Sequence, residues 1–341
     1  MDRTKYNIFL DIIRICAIAG VVSCHAGIYI PTGNLHDYLV YGKYGVQIFF
    51  VLSGYLCVAS GYHNAGIWAY YRKRAVRILP AYYISIICGM LVHYVLLKDV
   101  TQDSLYLGWL RYFLGLNIIL PSSNYALWNN MYGLWSMSCF IGLYLMAPFI
   151  FRYVRSLKHA ILFMGFAVLL KDVWEEFTLV LFAGRSNFEE LYWLIGASPF
   201  GKLYQFCFGI MVFFFIKEKK VFEGIVVLCC ALLIGEVLGL TEVLWCALTS
   251  ILILAVNFLS YHNSQVEKII SFLGKESYHV YLSHFVAYDV ARCILIKIVD
   301  KTSFSYIVWW AIIAVACTWI LCIFMNLAEK IVNHLFNKNG G

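Results

Sequence analysis

Residues Ile8 to Ile30 read IFLDIIRICAIAGVVSCHAGIYI, a stretch long and apolar enough to cross a bilayer as a helix, yet it carries Asp11, Arg14 and His25. Ionisable side chains held in hydrocarbon are costly and mark functional positions by default. At about 100° per residue, the steps from Arg14 to His25 turn through three circles plus about 20°, so both project from one helix face. At ~1.5 Å of rise per residue they stand about 16 Å apart along the axis. That excludes direct contact and places them at two depths of one polar path. Asp11, one turn before Arg14, can neutralise it. A second reading stays open, in which an Asp11–Arg14 pair snorkels to the inner headgroups and His25 sits at the outer interface.

Composition places the whole chain in the same class. Hydrophobic residues make up 62% of it and charged residues 13%, against roughly 25% charged in an ordinary soluble domain, so a polytopic membrane protein is expected. No small-residue cleavage pattern follows the first stretch, which is therefore expected to stay as the first span. The 12 cysteines are scattered through apolar runs without metal-ligand spacing to histidines, and they read as packing residues; no metal is expected. The net charge of +7 sits in short clusters beside the apolar runs. This pattern fits the positive-inside rule, and no basic domain is present to grip nucleic acid.

Apolar runs near 8–30, 39–60, 79–97, 131–151, 157–183, 199–216, 221–239, 242–260, 276–298 and 305–330 predict an all-α bundle of about ten transmembrane helices. A further run, Leu105 to Leu120, contains Arg111 and Asn117 and is short for a span, so a re-entrant or interfacial segment is expected near 105–120. With both termini cytoplasmic, that choice puts Arg72, Lys73, Arg74, Arg77, Arg152, Arg155 and Lys158 inside and Asp103, Glu189 and Glu190 outside. Residues 1–335 are expected to form a single membrane-embedded domain, with 336–341 a short polar tail. The five prolines fall at or near segment ends, unlike the interrupted spans of many transporters.

The second informative stretch is Tyr44-Gly-Val-Gln-Ile-Phe-Phe-Val-Leu-Ser-Gly-Tyr55, followed by Arg72-Lys-Arg-Ala-Val-Arg-Ile-Leu-Pro-Ala-Tyr-Tyr83. Six landmarks run in order from residue 11 to residue 284: Asp11-x-x-Arg14 with His25; Gly45 to Gly54; Arg74-x-x-Arg77 with Pro80; Leu134-Trp-Ser; Tyr144 with Pro148; and Ser277-Tyr-x-x-Tyr-Leu-x-His284. The ordered set resembles the acyltransferase-3 family of integral-membrane acyltransferases. The resemblance implies about ten helices and movement of acyl groups, often acetyl, from a cytosolic coenzyme A thioester onto envelope glycans, peptidoglycan or related acceptors. One departure stands out: many relatives carry a glutamate in the segment after Trp-Ser, where this chain has Phe140. In that respect it resembles branches of the family that lack the acid.

Roles follow from this frame. Arg74 and Arg77, one turn apart, can present two guanidinium forks to coenzyme A phosphates. By composition alone, anchoring a cytosolic loop to anionic lipid is the favoured role for them. The resemblance implies donor binding for both, with Tyr83 beside them. Transfer to a hydroxyl needs a base, and His25 is the candidate, in a catalytic set with Arg14 and Asp11. His25 should lie about 25 Å along the helix from Ile8. Either the pantetheine arm threads a channel past Arg14, or the acyl group is relayed on Ser53 or another side chain. Tyr281, His284 and Tyr288 follow i, i+3, i+7 spacing and can wall a wet pocket, with Asp289 and Arg292 paired one turn apart. A histidine bonded to a neighbouring carbonyl is the structural alternative for His284. Tyr44, Gln47, Ser53 and Trp135 complete the expected pocket. Ser53-Gly54 also fits a small-residue helix contact, and Tyr44 and Trp135 also fit an interface belt.

The expected activity is O-acetyl transfer from acetyl-CoA, with no metal, to a hydroxyl of an envelope glycan, exopolysaccharide or lipid-linked sugar at a bacterial inner (plasma) membrane. The bilayer is a partner, nucleic acid is not, and a homo-oligomer is compatible with the reading. Two other classes compete: a proton-coupled transporter or polysaccharide exporter using Asp11, Arg14 and His25 as a relay, and a non-catalytic partner in envelope-polymer assembly.

Overall fold

A computed structural model describes residues 7–31, 33–60, 66–98, 109–116, 134–184, 196–261, 263–296, 298–300 and 303–338. Among them there is no strand, and each predicted apolar run carries a helix. The helices are α1 (Ile8–Ala26), α2 (Gly45–Ala59), α3 (Ile67–Leu91), α4 (Trp109–Leu114), α5 (Trp135–Tyr153), α6 (Leu157–Phe182), α7 (Pro199–Lys217), α8 (Val221–Val237), α9 (Thr241–Val256), α10 (Ser264–Leu295) and α11 (Phe304–Lys338). Six helical stretches among the described residues are long and apolar enough to cross a bilayer by length and composition: Ile8–Ala26, Asp37–Ala59, Ile67–Leu97, Trp135–Tyr153, Pro199–Lys217 and Phe304–Leu335. The protein is an all-α polytopic membrane protein. Helix α4, at 6 residues, is about 9 Å long and cannot span by itself. The rest of 105–120 lies outside the described residues.

Local chemistry explains where the helices start and stop. Ser198 caps α7 by accepting from the Gly201 amide, with Pro199 in the first turn where its missing N–H costs nothing. Ser156 caps α6 in the same way through the His159 amide. Helix α8 ends at Gly239, whose φ of +67° lets the Leu240 amide return to the Gly235 carbonyl at 2.7 Å. Proline placement differs from the sequence expectation. Pro80 and Pro148 lie inside α3 and α5 rather than at segment ends, because each ring removes only one ladder bond while apolar packing holds the remainder. Proline position therefore no longer counts against a transporter. Helix α3 also begins well before Pro80, so Arg74, Arg77 and Tyr83 share one continuous helix, which runs on into a π-helical turn at Val92–Leu97.

The chain forms two compact units: Met1–Ala17, Tyr44–Tyr70 and Ser136–Leu273 in the first, Ile18–Lys43, Tyr71–Trp135 and Gly274–Gly341 in the second. Helix α7 is the core of the first unit and packs against α2, α6, α8 and α9. Glycines let α2 and α7 touch along their backbones: a Cβ on Gly54 would lie 2.0 Å from the Phe206 carbonyl oxygen, and one on Gly209 1.9 Å from that of Val51. The second unit is built around α10. Ser85 and Tyr278 bond α10 to α3 through the Leu282 and Ile78 carbonyls at 2.6 and 2.8 Å. Tyr288, Leu295, Tyr306 and Trp310 form its apolar core with α11.

Candidate active site

In the second unit the last turn of α1 lies against the middle of α10. The His25 and His284 rings meet there, Nδ1 of His25 standing 2.9 Å from Nε2 of His284. The far nitrogen of His284, Nδ1, is 2.7 Å from the Tyr281 carbonyl oxygen on its own helix. The carbonyl bond considered as the structural alternative for His284 is therefore present, but it occupies only one ring nitrogen. His284 is 1% exposed and His25 is half-buried. Phe285 packs against both rings, with centroids 4.5 Å from each. Tyr281 and Tyr288 flank His284 at 5.8 and 5.6 Å, as the shared helix face requires. Nε2 of His25 has no hydrogen-bond partner among the described residues.

Beyond this pair along α10, Asp289 and Arg292 form the expected ion pair at 3.3 Å. The Arg292 guanidinium lies over the Tyr29 ring at 5.7 Å, and Tyr29 stacks on Trp310. Nearer the start of α10 is a group the sequence reading missed. His279 stands 3.0 Å from Glu276 and 2.9 Å from Glu329, while Asn326 donates to Glu276. The i, i+3 spacing of Glu276–His279 and of Asn326–Glu329 on two apolar helices was the available signal.

The first unit holds Asp11, Arg14, Tyr44, Gln47 and Ser53, while Arg74, Arg77, Tyr83 and Trp135 belong to the second. Arg14 is bonded to Asp11 one turn away. Ser53 accepts a hydrogen bond from the Tyr144 hydroxyl at 3.1 Å. Phe140, where many relatives have a glutamate, stacks on Phe50 at 4.4 Å and on Tyr144 at 6.2 Å. Tyr44 stacks on Trp245 and bonds Thr241. Gln47 donates to Glu242, a residue absent from the sequence reading. Glu242 also accepts from Lys202 at 2.7 and 2.8 Å, from the Tyr204 hydroxyl at 2.9 Å and from Gln205 at 2.8 Å.

The structure thus brings His25, Tyr281 and His284 together in one unit, and Tyr44 and Gln47 to one cluster in the other. Trp135 is half-buried at the start of α5, Arg74 is half-buried and Arg77 exposed. Tyr83 packs against Phe113. It does not extend the arginine face: nine residues beyond Arg74, it is rotated by about half a turn on an ideal helix. Among the described residues no group of three metal-ligating side chains occurs.

The ordered landmarks and the apolar helices that carry them are those of a membrane acyltransferase. The family model described as an acyltransferase domain matches residues 7–326, and the chain belongs to that family. It is 24% identical over 301 residues to acyltransferase MdmB of Streptomyces mycarofaciens, a match covering 80% of this chain and 77% of that protein. It is also 24% identical over 377 positions to the peptidoglycan O-acetyltransferase OatA of Listeria monocytogenes serovar 1/2a. That match covers 98% of this chain and 56% of the relative, so the chain spans little more than half the length of OatA. No solved structure matches.

Proposed function

We propose that this acyltransferase moves an acetyl group from cytosolic acetyl-CoA to a hydroxyl of an envelope glycan, exopolysaccharide or lipid-linked sugar, at a bacterial plasma membrane, with both termini cytoplasmic and residues 1–335 acting as one catalytic domain. The observation that carries the reading is His25: an imidazole inside a candidate membrane span, held at one nitrogen and, among the described residues, open at the other. In this scheme His25 takes the proton of the acceptor hydroxyl as its oxygen attacks the thioester carbonyl. The C–O bond forms, the C–S bond breaks, and the proton passes to the departing thiolate of coenzyme A. Arg14, neutralised by Asp11, lines the path of the pantetheine arm, and Arg74 and Arg77 hold donor phosphates on the cytosolic side. No carboxylate at the Phe140 position takes part. The peptidoglycan acceptor named for the Listeria relative supports a glycan hydroxyl as the acceptor class.

The test supplies labelled acetyl-CoA to the cytosolic face of sealed vesicles that contain the native envelope acceptor, comparing wild type with His25→Ala. Label should reach glycan only with the wild type, both proteins being present at equal level. No transfer by either protein removes the acetyltransferase reading and leaves transport or assembly. A transporter gains no support from helix geometry alone, whereas family membership supports the enzyme.

A further inference from the structure

Resting on the role just given to His25, we propose that His284 is a positioning residue that fixes His25 in its Nδ1–H tautomer, so that Nε2 is the atom that takes the acceptor proton. The Tyr281 carbonyl can only accept, so Nδ1 of His284 carries the proton of the 2.7 Å bond. With both rings neutral, Nε2 of His284 is then a bare lone pair, and the 2.9 Å contact requires the proton to sit on Nδ1 of His25. The assignment propagates from a backbone carbonyl through two rings to one nitrogen. Ring orientation agrees. The rings are inclined by 6° with centroids 5.1 Å apart. An in-line, in-plane N–H···N contact of this length separates centroids by roughly 5 Å, whereas face-to-face rings would place the nitrogens without lone-pair alignment. The two imidazoles therefore lie edge to edge in one plane, and Phe285 against both rings keeps them there.

The partner's chemistry suits its place. A carboxylate would orient His25 as well, but an unpaired charge in hydrocarbon is costly, while a neutral imidazole anchored to a carbonyl supplies a fixed acceptor without one. When Nε2 of His25 takes the hydroxyl proton, the Nδ1–H bond to His284 stays intact and no proton needs to pass to His284. The proton leaves from Nε2 to the thiolate, and the pair returns to its starting state.

The experiment uses full-length protein in lipid nanodiscs, with its nine histidines labelled with nitrogen-15 and the His25 signals assigned by their loss in His25→Gln. Wild-type His25 should show a protonated Nδ1 and a bare Nε2. His284→Gln, whose Oε1 can still accept, should keep that pattern, and His284→Phe should lose it. In the vesicle assay His284→Phe should lower kcat about 10–100-fold at unchanged acetyl-CoA KM, with His284→Gln recovering most of it. A wild-type His25 protonated on Nε2, or a pattern unchanged in His284→Phe, overturns the proposal, as does equal loss of kcat in the Gln and Phe variants. If no protein transfers acetyl, the functional reading fails separately, because the nitrogen signals decide the tautomer without turnover.

Discussion

Glu242 accepts from Gln47, Lys202, Tyr204 and Gln205, which makes it the hub of the first unit's polar chemistry. Removing its charge strands the Lys202 ammonium, whose side chain is 11% exposed. Glu242→Gln should therefore destabilise by about 2 kcal/mol, less than a fully buried pair would cost. The double variant Glu242→Leu/Lys202→Met should recover much of the loss, because neither charge is left unpaired; thermal unfolding in detergent reads both. At the donor end, Arg74→Ala and Arg77→Ala should each raise the acetyl-CoA KM about tenfold while kcat holds, and unchanged donor affinity in both would remove their assigned role. Sequence made some of these residues visible and hid others for a simple reason. Asp11–Arg14 and Asp289–Arg292 are pairs one turn apart and could be read from spacing. His25 and His284 are 259 positions apart, and Lys202 and Glu242 belong to different helices. Each was visible only as a polar group in an apolar run, without its partner.

Helix α7 shows what such contacts demand of an element. Its Gly209 faces backbone atoms of α2, with the Tyr55 amide 2.5 Å from where a Cβ would stand. Backbone cannot swing aside as a side-chain tip can, so Gly209→Val must part the helices. The expected outcome is a large loss of folded protein in membranes, whereas Gly165→Ala, with nothing within 4 Å, should be silent; detergent-extracted yield and thermal midpoint distinguish them. The ten apolar runs were legible because hydropathy is a local property that lipid rewards residue by residue. The interior positions of Pro80 and Pro148 were not. A proline ends a helix in water, yet inside a packed membrane bundle its freed carbonyl can be satisfied by neighbours, so the local rule gives way to tertiary context.

At the scale of the whole molecule, the charge distribution predicts topology. Reporter fusions after Lys98 and after Gly184 should face outward, and fusions after Lys158 and after Lys219 inward; any reversed pair would overturn the cytoplasmic placement of the termini. The polytopic class was legible from composition, but the grouping of helices into two compact units was not, because each unit collects segments far apart in the chain. All twelve cysteines are free thiols: Cys57, Cys139, Cys207, Cys246 and Cys322 are buried, and Cys16, Cys229 and Cys230 are exposed. No sulfur bridge joins any two of them, so the helices are held by packing and hydrogen bonds rather than by disulfides. The protein should tolerate reductant throughout purification, and because Cys16, Cys229 and Cys230 lie midway along apolar helices, membrane-permeant thiol probes should reach them before water-soluble ones.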